Sequence, residues 1–545
     1  MTTDGPYPLA RRLLGALAAV AITVATTVAA VALAGATWAQ EEPRRGGVLE
    51  YIVSAEPPSF DAHRETTFAM LHPIRPHYNL LIKFDLENFP EVVGDLAESW
   101  EVADDGLTYT FTIREGVRFH DGSLLSARDV KATYDKIIFP AEGVASVRQA
   151  TYAMVESIEA QGDSTVVFAL EWPSEAFLAN LASPFNWVYQ ADRLEEDPHW
   201  YERNVMGTGP YTFVEYVGGS HWEGRRNEDY FKEGLPYLDS YRALFIRDPS
   251  AQVAAVRGGR AHLELRGFTP SQRDELVQAL GDEIEVQESA WLCNNTVVIN
   301  TQRPPFDDAR VRRALTLAID RWAGAQALSQ IAIVGPVGGV MRPGSAFAPS
   351  EEELEAIAGF GRDIEAAREE ARRLLDEAGV AQGFSFTLLN RDVRMPYEPI
   401  GIYVIDQWRR IGLNAEHLVR ETGPYLAELR GGDYDVAIDF TCDFIDEPDV
   451  QLNKFISAEL SPANYGQYDD ERLDALYEQQ SRERDPEERM RLVREFERIV
   501  LDEEAYQFHV LWWYRIIPYR SSLEGYHISP AHHLEPDIET YWLSE

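Results

Sequence analysis

Helical apolar stripes with short strand-like runs between them fill the second half of this 545-residue chain, and that alternation restricts the fold more than any other feature. Val311, Leu315, Ala318, Ile319 and Trp322 recur at the spacing of one helix face. Ile364, Ala367, Ala371, Leu374, Leu375 and Ala378 do the same, with Gly379 placed for a left-handed terminal residue. Ile402, Ile405, Trp408 and Ile411 form a third stripe, and Met490, Val493, Phe496 and Val500 a fourth. Apolar runs at 384–389 and 434–440 lie between them. Earlier in the chain, Val48 to Val53 and the alternating Leu107, Tyr109, Phe111 and Ile113 read as strands. Helix alternating with strand predicts an α/β fold, sheets covered by helices.

Arg11 and Arg12 precede an apolar stretch from Leu13 to Ala36, closed by Ala34-Gly35-Ala36 and Thr37-Trp38-Ala39. A positive head, an apolar run and small-x-small sites predict a signal peptide over residues 1–39 and a periplasmic or other extracytoplasmic location. Retention of the run as an anchor is the other reading, since it is long enough to span a bilayer. No second long apolar run follows, which argues against a polytopic membrane protein. Asp and Glu total 90 against 50 Lys and Arg, a formal charge of −40. Nucleic acid demands clustered basic residues and is not expected as a partner. The acid excess reads as solubility. Two cysteines are too few for a Cys/His metal site, and P-loop, HExxH and GxSxG patterns are absent. No cofactor, metal ligand or catalytic residue is assigned.

Arg45-Gly46-Gly47-Val48-Leu49 leads into Pro57-Pro58-Ser59-Phe60-Asp61, then Leu96-Ala97-Glu98-Ser99-Trp100 and Gly116-Val117-Arg118-Phe119-His120-Asp121-Gly122. Gly207-Thr208-Gly209-Pro210-Tyr211, Asn227-Glu228-Asp229-Tyr230-Phe231 and Pro304-Pro305-Phe306-Asp307-Asp308 complete the series. In this order and spacing, from about Gly46 to Ser529, the chain resembles the family 5 extracytoplasmic solute-binding proteins of ATP-binding cassette importers, the dipeptide, oligopeptide and nickel-binding group. The resemblance implies a periplasmic binding protein-like clamp of two α/β lobes (type II, cluster C-like) with an extra third lobe. Lobe I would be assembled from residues 46–90, 205–290 and 506–545, lobe II from 91–204 and lobe III from 291–505. The resemblance also implies a monomer that engulfs a peptide or other small solute and hands it to two permease subunits. A ligand-sensing or chaperone-like relative on the same fold, and a secreted hydrolase, are the alternative readings.

Candidate ligand contacts follow strand ends, because ligands of α/β lobes lie beyond the carboxyl ends of strands. The run at 434–440 leads into Thr441-Cys442-Asp443-Phe444-Ile445-Asp446-Glu447. In the oligopeptide-binding relatives an aspartate two residues after the matching cysteine pairs with the peptide's amino group. Here Phe444 holds that place and the acid stands one residue earlier, at Asp443; the relatives' tryptophan falls at Thr422. Asp446 and Glu447 read as a solvated turn. Trp291 and Asn294, flanking Cys293, and Trp513 near the C-terminus are further candidates. Arg394, in the loop after 384–389, is a candidate partner for a ligand carboxylate. His120-Asp121-Gly122 reads as a hydrogen-bonded corner, and His532, His533, Glu535 and Asp537 as solvated groups on an exposed tail. Cys293 and Cys442 are the only cysteines of a chain predicted to be exported, so a disulfide is open to them. The relatives look similar here, with a bridged pair in the matching Leu-Cys and Cys-acidic contexts; two buried free thiols are the alternative.

Overall fold

The computed structural model describes residues 42–393 and 395–544. The predicted signal peptide and Arg394 lie outside the described residues. A first five-stranded sheet has the order Leu263–Glu264, Val48–Val53, Ser240–Phe245, His221–Arg226 and Tyr211–Val217. Val48–Val53 runs parallel to both its neighbours. Leu49, Tyr51 and Val53 on one face and Ile52 on the other are buried, while Glu50 is half-buried and Val48 exposed, so the strand is apolar apart from Glu50 and covered most fully on one face.

A second five-stranded sheet has the order Asn414–Arg420, Ser385–Arg391, Val436–Cys442, Ile284–Ile299 and Gln507–Arg520. The predicted stripes become the helices that cover it, Ala309–Leu317, Ile364–Glu377, Tyr397–Arg409 and Pro486–Arg498. Leu315, Leu374, Trp408 and Phe496 share one core with Val297, Leu388 and Ile438 of the sheet. Trp322 belongs to a further helix, Arg321–Leu328, because the Asp320 carboxylate caps a new N-terminus by accepting from the Ala323 amide at 2.9 Å. The strand expected at 434–440 begins and ends two residues later, since pairing with Ile299 starts at Val436. That shift brings Cys442 inside the sheet. Residues 97–170 hold a separate four-stranded antiparallel sheet, which shares no strand with the other two among the described residues.

Two long strands tie these parts together. Ile284–Ile299 runs antiparallel to Gln507–Arg520, with breaks of register between Ala290 and Asn294 and between Asn294 and Thr296. Ile284 packs with Ile52 and Leu244 beside the first sheet. Val297 and Ile299, past the breaks, enter the core of the second. The irregular stretch Trp291–Cys293 is therefore where the chain passes from one core to the other, and a bulge at that point re-aims its side chains.

Candidate ligand-binding cleft

Cys293 and Cys442 stand opposite each other in register and are bonded, S–S 2.04 Å. The bridge joins residues 149 apart in sequence; loop-closure entropy gives such a link about 5 kcal/mol at most. It also fixes the base of the loop that follows, where the Asp443 amide donates to the Leu292 carbonyl at 3.0 Å.

Asp443 Oδ2 is sealed from solvent and has no hydrogen-bond partner. Burial pushes the carboxyl up to about 7, with Lys454 opposing the shift and Asp446 adding to it. Lys454 is already committed, because its ammonium donates to the Phe440 carbonyl at 2.8 Å and pairs with Asp439. Asp443 is thus a half-buried acid with one sealed, unpartnered oxygen and no cation of its own, a costly state unless something neutralises it.

An aromatic wall stands beside it. The Trp513 ring lies 5.3 Å from Trp291, 6.0 Å from Tyr397 and 6.4 Å from Phe440. Trp513 Nε1 donates to Asn295 Oδ1 at 2.8 Å. Asn294 is fully buried and its Oδ1 accepts from the Thr296 hydroxyl at 2.8 Å. The Nδ2 groups of both asparagines are buried without partners. Phe444 meets Phe185 edge-on at 6.4 Å. Cys442, Asp443, Phe444, Trp291, Asn294 and Trp513 therefore form one neighbourhood. A cavity of about 390 Å³ opens beside the loop, lined by Phe84, Phe89, Arg342, Phe347, Ile445 and Asp446 among others.

Two expectations are corrected. Asp446 and Glu447 are not a solvated turn. Asp446 accepts from Arg342 Nε at 3.0 Å across 104 residues of sequence. Glu447 pairs with Arg489 and caps the short helix Pro448–Leu452. Nor is the His532–His533 segment an exposed tail. Both rings are buried, Trp291 Nε1 donates to His532 Nδ1 at 3.0 Å, and Glu535 is fully enclosed with Arg515. His120 is a corner residue, its Nε2 against the Gly209 carbonyl at 3.0 Å.

The facing wall escaped sequence reasoning. Phe68 and His72 lie on the helix Phe68–Ile74, and Arg266 follows the two-residue strand Leu263–Glu264. The Arg266 guanidinium sits 4.2 Å from the Phe68 ring and 5.5 Å from Trp291. Arg391, at the end of Ser385–Arg391, lies 5.5 Å from Tyr397 and 5.6 Å from Phe440. The arrangement sets aromatic rings beside a carboxyl with one sealed, unpartnered oxygen and two guanidinium groups, the mix of apolar and placed polar groups that small-ligand sites use.

The model for bacterial extracellular solute-binding proteins, family 5 Middle, matches residues 91–459. The chain is 28% identical over 434 residues to the glutathione-binding protein GsiB of Salmonella typhi, covering 78% of this chain and 81% of that one. It is 26% identical over 469 residues to di/tripeptide-binding protein 1 of Pseudomonas aeruginosa, covering 82% and 83%. Among solved structures, Helicobacter pylori DppA in complex with the peptide STSA aligns over 92% of this chain and 99% of its own, with TM-score 0.78 and 25% identity. AgaA of A. tumefaciens, in complex with agropinic acid, covers the same shares with TM-score 0.78 and 22% identity. The sheets described above are those of the periplasmic-binding-protein clamp. The chain belongs to the family 5 extracellular solute-binding proteins of ATP-binding cassette importers.

Proposed function

We propose that this chain is the extracytoplasmic substrate-binding component of an importer, a monomer that captures a peptide or peptide-like small solute between its lobes and delivers it to two permease subunits. The observation that carries the reading is Asp443, whose Oδ2 is buried without a hydrogen-bond partner beside the aromatic rings of Phe444 and its neighbours. An ammonium group of the solute is the natural guest for it. Relatives named for glutathione and for di- and tripeptides, and a neighbour solved with a tetrapeptide, support a peptide-like guest. In this reading residues 46–90, 205–290 and 506–545 make lobe I, 91–204 lobe II and 291–505 lobe III, and the register break at Trp291–Cys293 is part of the hinge.

In this reading lobes II and III also touch. Arg484 donates to the Asp104 carbonyl at 3.0 Å, and the Arg482 guanidinium lies 5.2 Å over the Trp172 ring. These contacts part when the clamp opens, so a solute that binds the closed state shifts the population toward it. Small-angle scattering of ligand-stripped protein, with and without a saturating pool of di- to pentapeptides, is expected to show a smaller radius of gyration with peptide. Tryptophan emission changes on the same titration, and Trp291→Phe diminishes that change. An unchanged radius and unchanged emission with every pool would overturn the reading.

A further inference from the structure

We infer that Glu215, His221 and Glu223 form a binding site for a divalent transition ion of the zinc class, on the edge hairpin of the first sheet and apart from the cleft. The inference does not depend on the solute-binding reading.

One hairpin brings the three residues together. Tyr211–Val217 is the edge strand of the first sheet, and His221–Arg226 is its antiparallel neighbour. On the second strand Trp222 and Gly224 are buried, so alternation turns His221 and Glu223 to the opposite face. A break of register between Phe213 and Glu215 admits one extra residue and sets Glu215 directly across from Glu223. The turn between the strands is held in place. Glu56 accepts from the Gly219 amide at 2.9 Å and from the Tyr216 hydroxyl at 2.8 Å. The Phe245 amide donates to the Ser220 carbonyl at 2.9 Å.

The donor spacing suits a tetrahedral ion. With Zn–N and Zn–O bonds of about 2.1 Å, two ligand atoms on one zinc stand roughly 3.4 Å apart. Glu215 Oε1 lies 3.2 Å and Glu223 Oε2 3.9 Å from His221 Nε2. All three ligand atoms lie within 4.8 Å of one another. His221 Nδ1 is 2.9 Å from the Ser220 hydroxyl. An Nδ1–H donated to that oxygen fixes the ring and leaves the Nε2 lone pair facing two carboxylates, an arrangement that a cation completes.

The local charge is in acid excess. Carboxylates directly opposite on paired strands repel. Arg242 pairs with Glu223 at 2.6 Å and is shared with Glu50 at 3.7 Å, while Glu215 pairs only with the imidazole among the described residues. Three carboxylates thus share one guanidinium, and a doubly charged ion balances the remainder. Arg242 also holds Glu223 from behind, as an outer-shell partner does. An imidazole between two carboxylates favours a borderline ion such as Zn²⁺ over Ca²⁺ or Mg²⁺, which take shells of oxygen. Glu215 is more than half exposed, so a fourth position is open to water.

Titration of untagged, chelator-treated protein with Zn²⁺ against a chromogenic chelator tests the site, with Co²⁺ as a spectroscopic probe. One equivalent of Zn²⁺ is expected to bind here in preference to Ca²⁺ and Mg²⁺, and Co²⁺ to show the visible absorption of a tetrahedral complex. His221→Gln and Glu215→Gln are each expected to weaken Zn²⁺ by about tenfold or more and to diminish the Co²⁺ bands. The exposed Glu215 is the substitution least able to disturb the fold, and circular dichroism of the metal-free variant checks that. His533→Gln, among the buried imidazoles of the cleft, is expected to leave Zn²⁺ affinity unchanged. Failure of the unmodified protein to take up Zn²⁺ would overturn the inference. So would an affinity that survives both His221→Gln and Glu215→Gln, or one that falls in His533→Gln instead.

Discussion

Glu535→Gln is expected to lower the folding free energy by about 3–5 kcal/mol, the usual cost of stripping one partner from a fully buried ion pair. Neither Arg515 nor Glu535 exposes any side-chain surface. Glu535 is answered from every side, by both terminal nitrogens of Arg515, by the Ser529 amide at 3.0 Å and by the Tyr526 hydroxyl at 3.2 Å. Arg515 in turn bonds the carbonyls of Leu265 and Ser529. The pair thus locks the C-terminal segment, with its two cleft histidines, onto the turn that carries Arg266. A neutral amide leaves the guanidinium buried and uncompensated. Urea denaturation monitored by circular dichroism checks the magnitude, and the double variant Arg515→Met with Glu535→Leu is expected to recover much of the loss. A single variant within about 1 kcal/mol of the unmodified protein would contradict this role.

Asp443→Asn is expected to weaken an amine-bearing solute by about ten- to a few hundredfold, the range for losing a charge-assisted bond in a buried site. The effect carries a pH signature. Burial holds the free carboxyl at about 7. An ammonium guest binds the ionised form, so affinity is full above that value and falls as the pH drops through it, toward about tenfold per unit. At the alkaline end the fall is set by the ligand's own amine, near 7.7–8.0 for a peptide α-amino group. Lys454, paired with Asp439, and Asp446, paired with Arg342, are the charges facing this acid. Calorimetric titration of Ala-Glu from pH 5.5 to 8 is expected to show the acid limb in the unmodified protein and lose it in Asp443→Asn. An acid limb that persists in the variant would assign it to another group.

Much of the fold was legible because it is local. Val48–Val53 is found at its predicted bounds, since a strand with four of its six residues buried writes itself as a mostly apolar run. Gly379, at φ +75°, ends its helix where the stripe predicted. What resisted reading was set by distant partners. Asp446 and Glu447 look like a polar turn until Arg342 and Arg489 reach them from other segments. The His532–His533 stretch looks like a tail until Trp291 and Arg515 enclose it. Within the cleft, Asp443, Trp291 and Trp513 were marked by the cysteines and by strand ends. Arg266, Phe68 and His72 carry no spacing signal, because their adjacency comes from the helix Phe68–Ile74, the turn after Glu264 and the crossing strand meeting in space.

Capture of an amine-bearing, peptide-like solute is tested most directly by native mass spectrometry of the protein purified from its own host. A population heavier than the bare chain by the mass of one small molecule is expected, released on collisional activation and fragmenting as a peptide or peptide-like compound with a free amine. The same molecule, added back to stripped protein, restores the heavier mass, and Asp443→Asn reduces its occupancy. A co-purified solute that lacks an amine, or one whose occupancy Asp443→Asn leaves unchanged, would contradict this reading.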